Sequence, residues 1–185
     1  MSDTEAELLL QLSQPAKRAK AFSTIVRTYQ ERLYWHIRKM VLSHDDSNDI
    51  LQNAFMKAWN ALDGFRGDSQ ISTWLYRIAT NETLTFISNK RMRSTSSIDD
   101  VEENLLRNLQ SDTFFTGNEV EMKLQKAILT LPEKQRLVFN MKYFDDITYD
   151  EMEAILGTST GALKASYHHA VKKIEKFLNP ESNND

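Results

Sequence analysis

The residues of this chain best suited to chemistry lie in its last predicted helix. Leu163, Tyr167, Val171, Ile174 and Phe177 recur at steps of three and four, which defines one apolar face. The opposite stripe holds Gly161, Ala165, His168, His169 and Lys172, with Lys164 at its shoulder. Gly161 and Ala165 are small, so the helix backbone could approach a groove closely. Lys164, His168, His169 and Lys172 are donors of the kind that meet base edges or phosphates. A plain solvated helix face is the competing reading, and the pattern alone leaves both open. A metal site is not expected. Adjacent histidines on a helix point about 100° apart, and no third His or nearby carboxylate completes a ligand set.

Enzyme chemistry finds no support. The chain has no cysteine, which excludes a thiolate nucleophile, a disulfide framework and a thiolate metal site. No acid pair, metal cluster, phosphate-binding loop or nucleophile constellation stands out. No catalytic residue and no cofactor is therefore expected. No apolar stretch is long enough to span a bilayer. The N-terminus, MSDTEAELLLQL, lacks a basic start and has only a three-Leu run, so it does not read as a signal peptide. The expected location is cytoplasmic, without membrane insertion.

The elements that must position the last helix are helical as well. Glycine and proline are scarce, and no segment alternates in the manner of a strand. In a first block, Phe22, Ile25, Val26, Tyr29, Leu33, Ile37 and Val41 form one stripe. After a polar break at 43–46, Ile50, Leu51, Ala54, Phe55, Ala58, Trp59 and Leu62 form a second. The glycine-bearing run DGFRGDS over 63–69 must be a loop, and Ser69 is a candidate N-cap for a third helix. That helix carries Trp74, Leu75, Ile78, Leu84 and Ile87 and ends in the basic residues Lys90, Arg91 and Arg93. From 94 to 121 the pattern dissolves into a polar, acidic stretch, with room for one short helix at 101–109.

A second block follows. Leu124, Ala127, Ile128 and Leu131 mark one helix. Pro132 stands where the next begins, and that helix carries Leu137, Val138, Met141 and Phe144. Residues 145–147 turn the chain. Thr148 and Glu151 have capping-box spacing, and Gly157 suits the left-handed position after the helix they start. Thr158 or Ser159 then caps the last helix. A short helix, a glycine-containing turn and a longer amphipathic helix make a helix-turn-helix, whose second helix presents its outward face to the DNA major groove.

Charge agrees once it is divided. The whole chain carries −3, which looks wrong for a partner of nucleic acid. Residues 22–93 carry +3, residues 94–121 carry −6 and residues 122–178 carry +2. A polyanion would meet two mildly basic blocks around an acidic connection.

These blocks resemble a known family. Residues 122–178 are similar to conserved region four of the bacterial sigma-70 factors. The first block, with DDSNDILQNAFMKAW and then FRGDSQISTWLYRIATNETLTFI, is similar to region two. The presence of only these two regions, in this order, resembles the extracytoplasmic-function group. The resemblance implies an all-α chain. It has an extension at 1–21, region two at 22–94, a flexible acidic linker at 95–121, region four at 122–178 and a tail at 179–185.

The resemblance also assigns tasks. In the second helix, Asp49, Gln52, Asn53, Phe55 and Trp59 fall in the motif that docks on the RNA polymerase core enzyme. By phase, Ile50, Leu51, Phe55 and Trp59 mainly serve the core, which leaves Asp49, Gln52 and Asn53 to meet the partner. The family usually has an acid where Asn53 stands. Phe65, Arg66, Ser69, Ser72, Thr73, Trp74, Arg77 and Asn81 match the reader of the promoter −10 element. That task needs an aromatic or amide-lined pocket for an unstacked base and basic residues along the strand. Asn81 matches the pocket position. Trp74 also suits a core position, and Arg77 a solvated charge. Lys90, Arg91 and Arg93 suit either upstream phosphate or a helix end favoured by its dipole. The −35 set is Ser159, Lys164, Ala165, His168, His169 and Lys172. Where the family commonly carries arginines this chain has Ser166, His169 and Val171, so the −35 sequence it reads is expected to differ.

The reading is thus an initiation factor that lends core polymerase its promoter specificity. Two weak contacts with promoter DNA act together through a tether. The acids Asp99, Asp100, Glu102 and Glu103 would lie along the RNA exit path or discourage DNA binding by the free factor. The resemblance further implies an anti-sigma partner. The alternative is a stand-alone helix-turn-helix regulator, which would have no use for FRGDS followed by TWLYRIA. A third reading, a helical interaction module, would bind DNA only weakly and without salt dependence.

Overall fold

A computed structural model describes residues 3–65, 67–93 and 119–179, all in helices and short connections. The short helix expected at 101–109 lies outside them. The first helix, α1 (Asp3–Leu12), is followed by α2 (Pro15–Val41), α3 (His44–Ala61), a single 3-10 turn at Leu62–Gly64 and α4 (Ile71–Arg93). After the undescribed stretch come α5 (Glu119–Leu129), α6 (Glu133–Tyr143), α7 (Tyr149–Leu156) and α8 (Thr160–Leu178).

Local chemistry sets most boundaries. Helix α2 starts at Pro15, a residue pre-set for the first turn, and so begins before the stripe that opens at Phe22. It stops at Leu42, which takes a left-handed φ of 53° with its side chain buried. Ser43 caps α3 by accepting from the Asp46 N–H at 3.3 Å. Before α7 the capping box is complete. Thr148 Oγ1 accepts from the Glu151 N–H, and the Glu151 carboxylate accepts from the Thr148 N–H at 2.8 Å. Gly157, at φ 64°, ends α7, and Ser159 caps α8 by accepting from the Ala162 N–H at 3.4 Å.

Helices α2, α3 and α4 pack into one bundle, with α1 laid along α2. The buried face of α3 is Ile50, Ala54 and Ala58, one residue per turn. Phe55 is half-buried against the core, whereas Trp59 is 39 % exposed, so the core position expected for Trp59 is corrected. The small alanines let α3 approach its neighbours closely and leave the aromatic rings at the rim. There the Phe22 ring meets Trp59 edge-on at 5.1 Å. In the second block, Leu163, Ala170 and Ile174 are the buried face of α8, while Phe177 is 45 % exposed beyond the end of the core.

The two blocks are docked. Helix α6 packs on α2, and α7 on α4. Leu137, Val138, Met141, Ile147, Met152, Ile155 and Leu163 belong to the same apolar core as Ile25, Leu33 and Ile71. A polar group sits in this shared interior. The His36 Nδ1–H donates to Asp145 Oδ2 at 2.7 Å, Thr80 Oγ1 lies 2.9 Å from His36 Nε2, and Lys39 Nζ donates to Asp145 Oδ1 at 2.8 Å. Lys39 also stands over the Phe144 ring at 4.8 Å. Burial pushes the Asp145 carboxyl up, but the hydrogen bond and charge of His36, joined by those of Lys39, hold it below the ordinary value. The Tyr76 ring, edge-on to His36, has its hydroxyl pushed up to about 12 by burial and by Asp145.

Because the folded carboxyl is the stronger acid, its contribution is complete above the unfolded value near pH ~4 and is lost as pH falls through the folded one. Asp145→Asn should cost about 3 kcal/mol at neutral pH, since it leaves His36 and Lys39 without their counter-charge. Urea unfolding of both proteins from about pH 7 to about pH 3 checks this, with the gap between them closing in acid.

Candidate nucleic-acid interface

The stripe on α8 is presented as the sequence predicts. Ser159, Lys164, Ala165, His168, His169 and Lys172 are all exposed. The rings of His168 and His169 stand 6.0 Å apart and tilted by 57°. Among the described residues, no group of three His, Cys, Asp or Glu side chains could hold a metal. A Cβ built on Gly161 would meet nothing within 4 Å, so the start of α8 is open to a close approach. Lys164 reaches back over the Tyr149 ring at 5.7 Å and couples the face of α8 to the start of α7. Here the two helices of the motif are held by their own caps and by Leu163, Ile155 and Met152 beneath them.

The residues matched to the −10 reader divide into three groups. Phe65 and Trp74 stack at 4.6 Å and 26°, both half-buried, which ties the loop to the first turn of α4. Arg77 and Asn81 are exposed and share a stripe with Trp74 at steps of three and four. Ser72 and Thr73 face the second block instead. With Arg32, Tyr76, Asp145 and Glu151 they line a cavity of about 150 Å³ beneath α7, and Thr73 is buried. Arg66 lies outside the described residues. Ser69 does not cap α4, because its hydroxyl donates weakly to the Gln70 carbonyl at 3.4 Å. The Ile71 N–H donates instead to Glu5 Oε1 at 2.6 Å, across 66 residues of sequence. No local signal could have revealed that partner.

The basic end of α4 is engaged within the protein. Lys90 pairs with Asp46 at 2.8 Å, and Arg91 with Glu133 at 2.7 Å, the latter tying α4 to the second block. On α3, Asp49, Gln52 and Asn53 are exposed, as is Met56, while Phe55 and Trp59 border them. Arg18 reaches the Trp59 ring at 5.5 Å and pairs with Asp63 at 2.7 Å. The face thus mixes polar groups with exposed apolar ones, a composition suited to a protein partner.

Comparison with known proteins decides the family. Residues 25–93 match the family model for sigma-70 region 2, and residues 121–174 match that for sigma-70 region 4. The chain belongs to the sigma-70 family. It is 31 % identical over 169 residues to the ECF RNA polymerase sigma-E factor of Escherichia coli, covering 87 % of this chain and 88 % of that one. The RNA polymerase sigma-H factor of Pseudomonas aeruginosa is 29 % identical over the same lengths. Among solved structures, CnrH in complex with the cytosolic domain of CnrY superposes with a TM-score of 0.69 at 22 % identity, over 97 % of this chain and 99 % of that one. The sigma factor RpoE of Bartonella quintana, solved with the anti-sigma factor NepR, gives 0.65 at 22 % identity, over 88 % and 99 %. These two share the fold. The chain is a sigma factor of the extracytoplasmic-function type, a subunit that binds core RNA polymerase and directs it to promoters. This family is not a class of enzymes. No described helix is long and apolar enough to cross a membrane.

The exposed stripe and the buried face of α8 should separate in stability. Lys164→Ala and Lys172→Ala should change it by no more than about 0.5 kcal/mol. Leu163→Ala should cost about 3 kcal/mol. Urea unfolding of the three variants checks the assignment.

Proposed function

We propose that the second block of this sigma factor grips the −35 duplex and that the first captures the −10 strand while docked on core polymerase. The observation that carries this reading is that one chain offers two donor-bearing helix faces. One is Lys164, His168, His169 and Lys172 on α8; the other is Arg77 and Asn81 beside the Phe65–Trp74 stack on α4. Ser159 and Ala165 flank the first face, and Ser69, Ser72, Thr73 and Arg66 complete the second. Asp49, Gln52, Asn53, Phe55 and Trp59 form the polymerase contact. Asn81 pairs with the edge of a flipped base, and the stacked rings supply a sequence-tolerant platform next to it. Lys164 and Lys172 neutralise phosphate, and the histidines read base edges with fewer donors than arginine. The factor supplies binding and positioning, and the bond chemistry is the polymerase's, in the cytoplasm.

Ser72 and Thr73 lie beneath α7 in the docked arrangement. Reading a strand with them requires the second block to leave α4. Residues 94–118 join the blocks, and 25 residues can span up to about 85 Å when extended. The free factor is thus a compact form, and the promoter-bound one an extended form. An anti-sigma protein like the one held by the solved relative would select among such forms by binding one better than the other.

Run-off transcription with purified core polymerase and a promoter library tests the reading. Asn81→Ala should lower discrimination at one −10 position by about tenfold. Lys164→Ala should weaken −35 binding by about threefold to tenfold, evenly across sequences, with a shallower salt dependence. Wild-type behaviour by both variants would remove these site assignments. Failure of the unaltered chain to direct any start site would remove the function.

A further inference from the structure

Helix α1 stands outside the residues matched to region 2, which begin at 25. It nonetheless holds the loop that carries Phe65. The first N–H groups of a helix have no partner within it and attract negative charge. In α4 the local candidates fail, since Ser69 turns to the Gln70 carbonyl and Ser72 donates to the Gln70 side chain at 3.3 Å. Glu5 takes their place, accepting from the Ile71 N–H at 2.6 Å. That is a charge-assisted bond to the residue before Ser72, Thr73 and Trp74.

Apolar packing supports the same contact. Leu12 is buried, and Leu8 and Leu9 lie against the main core. Leu9, Leu12, Ser13 and Arg18 form one wall of a cavity of about 400 Å³, and Leu62, Asp63, Phe65 and Gly67 form the other. Gly67 has a φ of 77°, and a Cβ there would stand 3.5 Å from Leu9 Cδ1. The loop between the 3-10 turn and α4 is therefore pressed against α1 at one end and pinned by Glu5 at the other. The Phe65–Trp74 stack joins that loop to the first turn of α4.

We infer that Glu5 is a positioning residue for −10 recognition: its carboxylate, carried on α1, fixes the first turn of α4 and with it the ring stack that receives the strand. The inference rests on the −10 assignment above. Glu5 touches no DNA in this role and acts through Ile71. Removing its acceptor lets the loop and the first turn of α4 shift, while α8 and the polymerase face of α3 stay as they are.

Two variants isolate the bond. Glu5→Met keeps the length and helix preference of the side chain but has no carboxylate. Glu5→Gln keeps an oxygen acceptor without the charge. The measurement is the ratio of run-off transcripts from promoter pairs that differ only in the −10 element, with −35 pairs and core polymerase affinity measured alongside. Glu5→Met should reduce −10 discrimination by about fivefold and leave the −35 ratios and polymerase affinity unchanged. Glu5→Gln should recover most of the loss. Discrimination equal to wild type in Glu5→Met overturns the inference. So does a parallel fall in −10 ratio, −35 ratio and polymerase affinity, which marks a general loss of fold. If wild type itself showed no −10 preference, the fault would lie with the −10 assignment and not with Glu5.

Discussion

A carboxylate of one block is sealed between an imidazole and an ammonium of the other, and the docked form of this sigma factor depends on that contact. Asp145 sits in the turn between α6 and α7; His36 and Lys39 sit on α2. Taking the carboxylate and the ammonium out of water is costly, and their attraction, with the hydrogen bond from the imidazole, repays the cost only while the groups remain together. The arrangement is specific for that reason. A shift between blocks that left apolar contacts roughly intact would still strand a buried charge. It is also poised, because a buried ionic group adds little net stability over water, so the docked form need not be much more stable than the open one. Asn140, buried beside it, donates only to the Met40 sulfur at 3.6 Å, a weak bond for an amide. An interface meant to be permanent would be more uniformly apolar.

The placement of this group decides what is covered. Asp145 adjoins Asp146 and Ile147, which with Glu151 and Ile155 roof the cavity over Ser72 and Thr73. The turn that carries the ionic contact therefore also brings α7 onto α4, the helix proposed to read the −10 strand. The outward face of α8 takes no part in that contact and stays exposed. Docking thus treats the two proposed DNA faces unequally, hiding part of one and leaving the other open. A polyanion approaching the docked form would meet Lys164 and Lys172 before it could engage the first turn of α4.

Legibility in the sequence followed the range of the interactions. Thr148 with Glu151, Gly157 and Ser159 act on neighbours within a few residues, so α7 and α8 could be read with their caps and their outward stripe. The helical class followed equally from periodicity. The stripe on α3 contains the buried Ile50, Ala54 and Ala58, but its largest apolar group, Trp59, stays 39 % exposed. The close approach of helices selects Ala54 and Ala58 for the interior and leaves the rings at the rim. Leu42 holds a left-handed conformation that its side chain disfavours, at the end of α2, with its N–H bonded to the Arg38 carbonyl and its side chain buried. The Glu5–Ile71 and His36–Asp145 contacts span 66 and 109 residues, and no window along the chain contains both partners.

The same division of range separates the two proposed DNA faces as physical objects. The face proposed for the −35 duplex is built on one helix, capped and packed through Ala170 and Ile174 within the second block, while its Leu163 also joins the core shared with the first. The face proposed for the −10 strand is assembled. Its loop rests on α1, its first turn on Glu5, its stack on Phe65 and Trp74, and its covered part on α7. A surface made of long-range contacts has more than one low-energy arrangement and can be altered by whatever moves any support. Duplex recognition asks only for a rigid helix of the right pitch, and α8 provides that. Capture of an unstacked base asks for a pocket that closes around it, and the proposed pocket is incomplete in the docked form, where Ser72 and Thr73 of the first turn of α4 lie under α7.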